Sequence, residues 1–239
     1  HYFIENRTNP NGSDTGGLLA GIFQMLNTAP EYRQSAADDE ILQFPYVNGG
    51  LFEENLRIPF FNAKMRAALL DCCSFDWGRV SPAIFGSLFQ SVMDKDQRRR
   101  QGAHYTSEKN ILKVARPLFL DDLRAEFNAA QNSAIKLKQL HDKLASLKFF
   151  DPACGCGNFL VIAYRELRLL ELEVLKILNP SSQMILDVNH LIKLDVDQFY
   201  GIEIEEFPAQ IAQVALWLMD HQMNLMVSQE FGLYFARIP

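Results

Sequence analysis

Long apolar runs are missing from the 239-residue sequence, and none approaches the ~20 residues that a bilayer-spanning helix requires. A helical membrane anchor is thereby excluded. Basic charge is also short: 23 Lys and Arg stand against 29 Asp and Glu, giving a formal net charge of −6 and a pI near 5.4. A module that grips nucleic acid unaided usually shows the opposite balance, because neutralising phosphates supplies most of its affinity. Cysteine is scarce, with only Cys72, Cys73, Cys154 and Cys156. The adjacent pair and the Cys-Gly-Cys pair match neither a zinc knuckle nor a thioredoxin-type motif, so no metal site is expected. Buried free thiols in a reducing cytoplasm are the expectation instead. There is no low-complexity tract and no repeat of fixed period. The opening His1-Tyr2-Phe3 has neither an initiator Met nor a signal-peptide pattern, which reads as a piece excised from a longer protein.

What is present is ordinary globular material, 48% hydrophobic and 22% charged, enough for one large domain or two modest ones. The first part reads as helical with polar connectors. Gly16 to Leu26 is apolar-periodic, and Asn48-Gly49-Gly50 marks a tight turn. Ser81 and Pro82 predict a helix start, followed by the stripe Ile84, Phe85, Leu88, Phe89 and Val92. The charged run Asp94 to Arg100 forms a natural boundary. Arg98-Arg99-Arg100 fits a solvated linker better than a phosphate contact.

Past the boundary, Gly102 to Ser107 is a loop feeding a helix from about Glu108, with Thr106 or Ser107 as its cap and Pro117 as its kink or end. A helix is predicted over Ala129 to Leu144 and a short strand over Leu147 to Phe150. Phe159 to Leu178 is strongly helical, Phe199 to Ile202 is a second strand, and a helix follows from about Pro208. Its predicted apolar face is Ile211, Val214, Ala215 and Leu218. Strand, glycine loop, helix, strand, helix is a βαβα unit, so a parallel sheet in an α/β fold is expected. His141 and His221 lie in helical stretches without ligand partners and are read as structural.

The run Asp151-Pro152-Ala153-Cys154-Gly155-Cys156-Gly157-Asn158-Phe159-Leu160 carries the most information. A strand ends, two glycines turn the backbone, and a helix begins with its free N–H groups aimed into the turn. Such a turn can cradle a nucleotide-like ligand at the carboxyl end of a sheet. An ordinary dinucleotide site would need a third glycine where Leu160 stands. The alternative is a purely structural strand-to-helix turn. Downstream, Tyr200-Gly201-Ile202-Glu203-Ile204-Glu205 places an acidic residue at the end of the second strand, where a carboxylate can accept two ribose hydroxyl protons. Glu203 lies 46 residues after Gly157, against roughly 20 in a compact unit. The excess reads as an insertion containing Leu186 to Asp197.

These runs resemble the amino-methylating DNA methyltransferases. Asp151 to Leu160 is similar to their (D/N)-P-x-C-G-(S/T)-G-x-(F/L) cofactor motif, with Cys156 where Ser is commoner. Gly102 to Ser107 resembles their G-x-(Y/F)-(Y/F)-T-(P/S) element. The resemblance implies an S-adenosylmethionine site formed by His104, Tyr105, Thr106, Asp151, Pro152, Ala153, Cys154, Gly155 and Gly157, with Glu203 on the ribose and Ile204 over the adenine. The order of the motifs implies methylation of the exocyclic amine of adenine. Phe44 to Phe52, Trp77 to Gln90 and Gly201 to Asn224 further resemble the fused type IIG restriction–modification enzymes. On that basis residues 1–95 are expected to form a mainly helical connector domain. Residues 96–239 are expected to form the N-terminal part of an incomplete Rossmann-like methyltransferase domain.

The family's catalytic (N/D/S)-P-P-(Y/F/W) run occurs nowhere, and Asn179-Pro180-Ser181 is a poor imitation. No P-D…E-x-K endonuclease pattern is convincing either. No catalytic residue is therefore assigned, and the chain is expected to stop short of the catalytic motif. Alone, it is expected to be inactive and to bind DNA weakly or not at all, with double-stranded DNA the partner of the full-length enzyme. Two other readings stay open: a non-catalytic scaffold or interaction module, and a methyltransferase acting on RNA or protein glutamine.

Overall fold

Arginines that reach helix ends organise the first part of the chain. In the computed structural model, which describes residues 1–34, 39–47, 52, 58–75, 80–92, 106–179 and 191–232, contacts group the chain into two units, His1–Trp77 and Gly78–Ile238. The first unit holds α1 (Tyr2–Arg7), α2 (Thr15–Leu26), α3 (Asp39–Leu42) and α4 (Ala63–Ser74). The last carbonyls of a helix lack intrahelical partners. Arg66 of α4 meets this need for α1 by donating to the carbonyls of Ile4 and Glu5 at 3.0 and 2.9 Å and to Thr8 Oγ1 at 2.7 Å. Arg33 donates to the carbonyls of Thr28, Leu42 and Phe44 at 2.7–2.9 Å, tying the ends of α2 and α3 together. The predicted turn at Asn48-Gly49-Gly50 and the Arg98 to Arg100 run lie outside the described residues.

The second unit begins with α5 (Ile84–Val92), entered through a turn at Ser81–Ala83 rather than starting at Pro82. Its buried side is Pro82, Ala83 and Gly86; Ile84 and Leu88 of the predicted stripe are about half exposed. Then come α6 (Glu108–Ala115), a π-helical segment Arg116–Leu120, α7 (Asp121–Ala130) and α8 (Ala134–Ser146). Pro117 was expected to kink or end its helix. The helix instead continues, because a widened turn accommodates a residue that lacks an N–H and would clash with the carbonyl four residues back. The predicted single helix over Ala129 to Leu144 is two, broken at Gln131–Ser133, where Ser133 caps α8 by accepting from the Lys136 N–H.

Strand β1 (Phe149–Asp151), α9 (Asn158–Leu178), β2 (Phe199–Gly201) and α10 (Glu206–Phe231) form the expected βαβα unit of an incomplete Rossmann-like fold. The strands pair in parallel, Phe149 opposite Phe199 and Asp151 opposite Gly201. Alternation sends Phe149 and Phe199 to one face, where their rings stack at 4.9 Å with Phe119 and Tyr164 edge-on. The other face leaves Phe150 and Tyr200 exposed. α10 starts two residues before the predicted Pro208. Its buried stripe is Ala215, Met219, Met223, Val227 and Phe231, so Ile211, Val214 and Leu218 flank that stripe half-covered.

Helix α9 is buried almost all round, and two charges sit inside it. Arg168 and Glu171 are each about 1% exposed, with Arg168 Nε 3.3 Å from Glu171 Oε2. Arg168 donates to the Tyr164 hydroxyl, Asp220 Oδ1 and Asn224 Oδ1 at 2.6–2.7 Å, joining α9 to α10. Burial drives the Tyr164 hydroxyl far above its ordinary pKa, so it stays a neutral donor to Asp220. Glu171 Oε1 accepts from His141 Nε2 of α8 and from the Lys193 and Leu194 N–H groups, at 2.8–3.1 Å. His141, read from sequence as structural, is thus one of the network's members. The segment Leu191–Asp195, the described end of the predicted insertion, is thereby tied down to lead directly into β2. Removing one partner of a buried pair typically costs about 3–5 kcal/mol. Arg168→Met should therefore lower the urea midpoint of the second unit and raise hydrogen exchange in α9 and α10 together; an unchanged midpoint would show the network to be dispensable.

Candidate functional site

The loop between β1 and α9 is shaped from within. Asp151 Oδ1 accepts from the Ala153 N–H at 3.0 Å, an Asx-type turn that bends the chain at Pro152. The Cys154 N–H donates to the Ile202 carbonyl, and the Ile202 N–H to the Asp151 carbonyl, both at 3.0 Å. The loop is therefore laced to the end of β2. Gly155 and Gly157 both adopt left-handed backbone, φ +54° and +76°.

The two glycines serve different ends. A Cβ on Gly157 would lie 2.8 Å from the Ala212 Cβ, so this residue is what lets α10 pack against the start of α9. A Cβ on Gly155 would meet nothing closer than Glu203 Oε2 at 4.0 Å. Open space thus lies over Gly155, beside a carboxylate. Gly157, expected among the cofactor-site residues, thus also serves packing, and the freer approach lies at Gly155.

Glu203 follows β2 and crosses to the loop. Its Oε2 accepts from the Gly155 N–H at 2.9 Å, while Oε1 accepts from the N–H groups of Ile204 and Glu205 at 2.7 and 3.0 Å. Three backbone donors fix its carboxyl group and aim it at the loop. Ile204, beside it, is 92% exposed.

The thiols are not uniformly buried. Cys72 and Cys73 are exposed, which corrects the expectation, because α4 buries none of its residues. Cys154 and Cys156 are half-buried in the loop. Burial, then the Glu203 charge and the neighbouring Cys154, pushes the Cys156 thiol up to about 11. Cys154 is raised by burial and by the carboxylates of Asp151 and Glu203. Both are neutral thiols at physiological pH, which suits walls of a pocket better than nucleophiles. No group of His, Cys, Asp and Glu among the described residues could hold a metal.

Of the residues singled out in the sequence, Asp151, Pro152, Ala153, Cys154, Gly155, Gly157, Glu203 and Ile204 thus come together at one end of the sheet. Thr106 is exposed two residues before α6; His104 and Tyr105 lie outside the described residues. Sequence reasoning missed the Gly201–Cys154 contact, where an added Cβ would lie 2.6 Å from Sγ. It also missed Arg165, which joins Glu108 at the start of α6 to α9.

Comparison with known proteins agrees with this architecture. Residues 127–239 match the family described as "MmeI, DNA-methyltransferase domain", and residues 1–52 match "MmeI, helicase spacer domain". The chain is 60% identical, over its full length, to 32% of the solved type IIL restriction-modification enzyme MmeI in complex with DNA, with a TM-score of 0.91. It is 39% identical over 228 residues to "DNA methyltransferase A" of Bacillus subtilis, covering 95% of this chain and 25% of that protein. A putative type II restriction enzyme and methyltransferase of Methanocaldococcus jannaschii is 22% identical, covering 82% of this chain and 20% of its own length. The chain thus spans about a quarter or less of these two curated relatives. No helix among the described residues is long and apolar enough to cross a membrane. On its fold, its loop and both matches, residues 127–239 form part of an MmeI-type DNA-methyltransferase domain, and residues 1–52 are similar to the MmeI helicase spacer domain.

Proposed function

We propose that this chain supplies the S-adenosylmethionine pocket of a cytoplasmic restriction–modification enzyme that methylates the exocyclic amine of adenine in double-stranded DNA. The observation that carries the reading is the open space over Gly155, walled by the Glu203 carboxylate at the carboxyl end of a parallel sheet. That is where an α/β sheet receives nucleotide-like ligands. Glu203 has about four lone-pair positions, three of them taken by backbone donors, so a ribose diol would share or displace the Gly155 N–H. Asp151, with Oδ1 engaged by the turn, serves the methionine end of the ligand in this reading. The His104-Tyr105-Thr106 run serves that same end, as its resemblance implies, and Ile204 covers the adenine.

When bound, the donor brings a sulfonium methyl that is already strongly electrophilic, so the protein's task is chiefly to bind and orient. The residues present suit that division. None is a nucleophile, and the carboxylates match the hydroxyl and ammonium groups of such a ligand. With an excess of six negative charges, this chain contributes little to holding DNA phosphates. DNA is gripped by the whole protein, and the isolated chain should lose any duplex it retains at moderate salt in a filter-binding titration. Sequence-specific retention at physiological salt would overturn that assignment.

The two glycines test the pocket against its scaffold. In the whole protein, Gly155→Ala should lose only the roughly 1–2 kcal/mol that a Cβ at positive φ costs and should weaken S-adenosylhomocysteine binding by calorimetry, measured well below the melt. Gly157→Ala carries the same backbone strain and should lower stability by about 1–3 kcal/mol more through overlap with Ala212. Equal binding by the Gly155 variant and the parent would place the ligand elsewhere.

Glu203→Ala removes a charge-assisted acceptor, worth roughly 1.5–3 kcal/mol, so affinity should fall on the order of 10- to 150-fold. A Glu203 variant that folds and binds like the parent would refute the ribose assignment.

A further inference from the structure

Helix α6, which begins two residues after Thr106, has no side-chain cap of its own. Ser107 occupies the N-cap position of α6, yet its hydroxyl makes no capping hydrogen bond. The first turn is held from outside instead. Arg165, two turns into α9, donates from Nη2 to Glu108 Oε1 at 2.7 Å. The same guanidinium donates from Nε and Nη2 to Glu166 Oε1 at 3.2 and 2.7 Å, which braces it on α9. Its side chain is 20% exposed, against 42% for Glu108. The hydrogen bond from Arg165, aided by its charge, holds the Glu108 carboxyl below its ordinary range despite partial burial. The pair is therefore ionised throughout the neutral range.

The body of α6 is anchored independently. Ile111 packs with Ala83 and Ile162 in a cluster completed by Leu112 and Phe159, and Ala115 lies in the main core. Arg165 thus joins the start of α6, with Thr106 and Ser107 just before it, to the helix that grows out of the glycine loop at Asn158. We infer that Arg165 and Glu108 are positioning residues that latch the first turn of α6, with Thr106 and Ser107, onto α9 and thereby set the affinity for the nucleoside-bearing methyl donor. The inference rests on the cofactor reading above.

The physical argument turns on magnitudes. A half-exposed ion pair contributes little to global stability. It decides whether one otherwise uncapped turn stays closed, while the apolar contacts of Ile111 and Ala115 keep the helix docked either way. A ligand that binds only the latched state has its apparent dissociation constant raised in inverse proportion to the latched fraction. Lowering that fraction to about a fifth would weaken binding about fivefold with almost no change in melting temperature.

The test is calorimetric titration of the whole protein with S-adenosylhomocysteine, together with thermal melts, for Glu108→Gln, Arg165→Met, the double variant and Arg165→Lys. Each single variant and the double should lose affinity by the same factor, about three- to fivefold, because both break one latch. Arg165→Lys should restore most of it. High salt should narrow the gap between parent and Glu108→Gln by screening the pair. Melting temperatures should stay within about 2 °C of the parent. Unchanged affinity in the single variants would overturn the inference, as would affinity losses that simply track lost stability or that add in the double variant. Failure of the parent itself to bind the probe would overturn the cofactor reading, a result that the parent titration alone distinguishes.

Discussion

The carboxylate of Glu171 is the constraint on which the second unit depends. It lies on a helix whose surroundings are otherwise apolar, and a lone charge there would be prohibitive. Its oxygens are matched instead by His141 from α8, by two backbone N–H groups from the segment before β2, and by Arg168 one turn away. Arg168 in turn reaches Asp220 and Asn224 on α10. One buried network thus joins α8, α9, α10 and the approach to β2. Apolar packing would tolerate small slides between these helices, but directional hydrogen bonds do not. The network therefore sets where β2 enters the sheet, and with it the position of Glu203 six residues downstream of Asp197.

The sheet shows a second consequence of pattern. Strand alternation buries Phe149 and Phe199 beneath α9 and turns Phe150 and Tyr200 outward. Parallel sheets are ordinarily covered on both faces. Here the outward face carries large apolar groups of the kind found in a two-sided interior. That agrees with a chain that spans 32% of its solved relative.

How much of this was legible in the sequence depended on how local the cause was. The Asp151 to Leu160 loop could be read because turn chemistry is local: an Asx turn, a proline and two glycines define it within a few residues. Both strands and the βαβα order followed from short apolar runs and helical periodicity. The charged network did not, because Arg168 and Glu171 look like exposed positions on an amphipathic helix until α8 and α10 close over them. A hint was present in the density of apolar residues around them, from Leu167 to Leu172. Pro117 misled because its effect depends on whether the helix can widen locally. The stripe on α10 was displaced because its partner, α9, selects which face is buried. The bond from Gly155 to Glu203 was out of reach, since 48 residues separate donor from acceptor.

The close approach at Gly157 reaches beyond the loop. Because the Ala212 Cβ occupies the place where a side chain at position 157 would stand, the two positions share a single volume. Any enlargement at Ala212 presses on the glycine turn as directly as a change in the turn itself, although Ala212 lies on α10. The tolerance of the pocket to variation is thus written partly into the first turns of α10. A lineage that alters the bulk of that helix near Ala212 must reshape the loop between β1 and α9 at the same step.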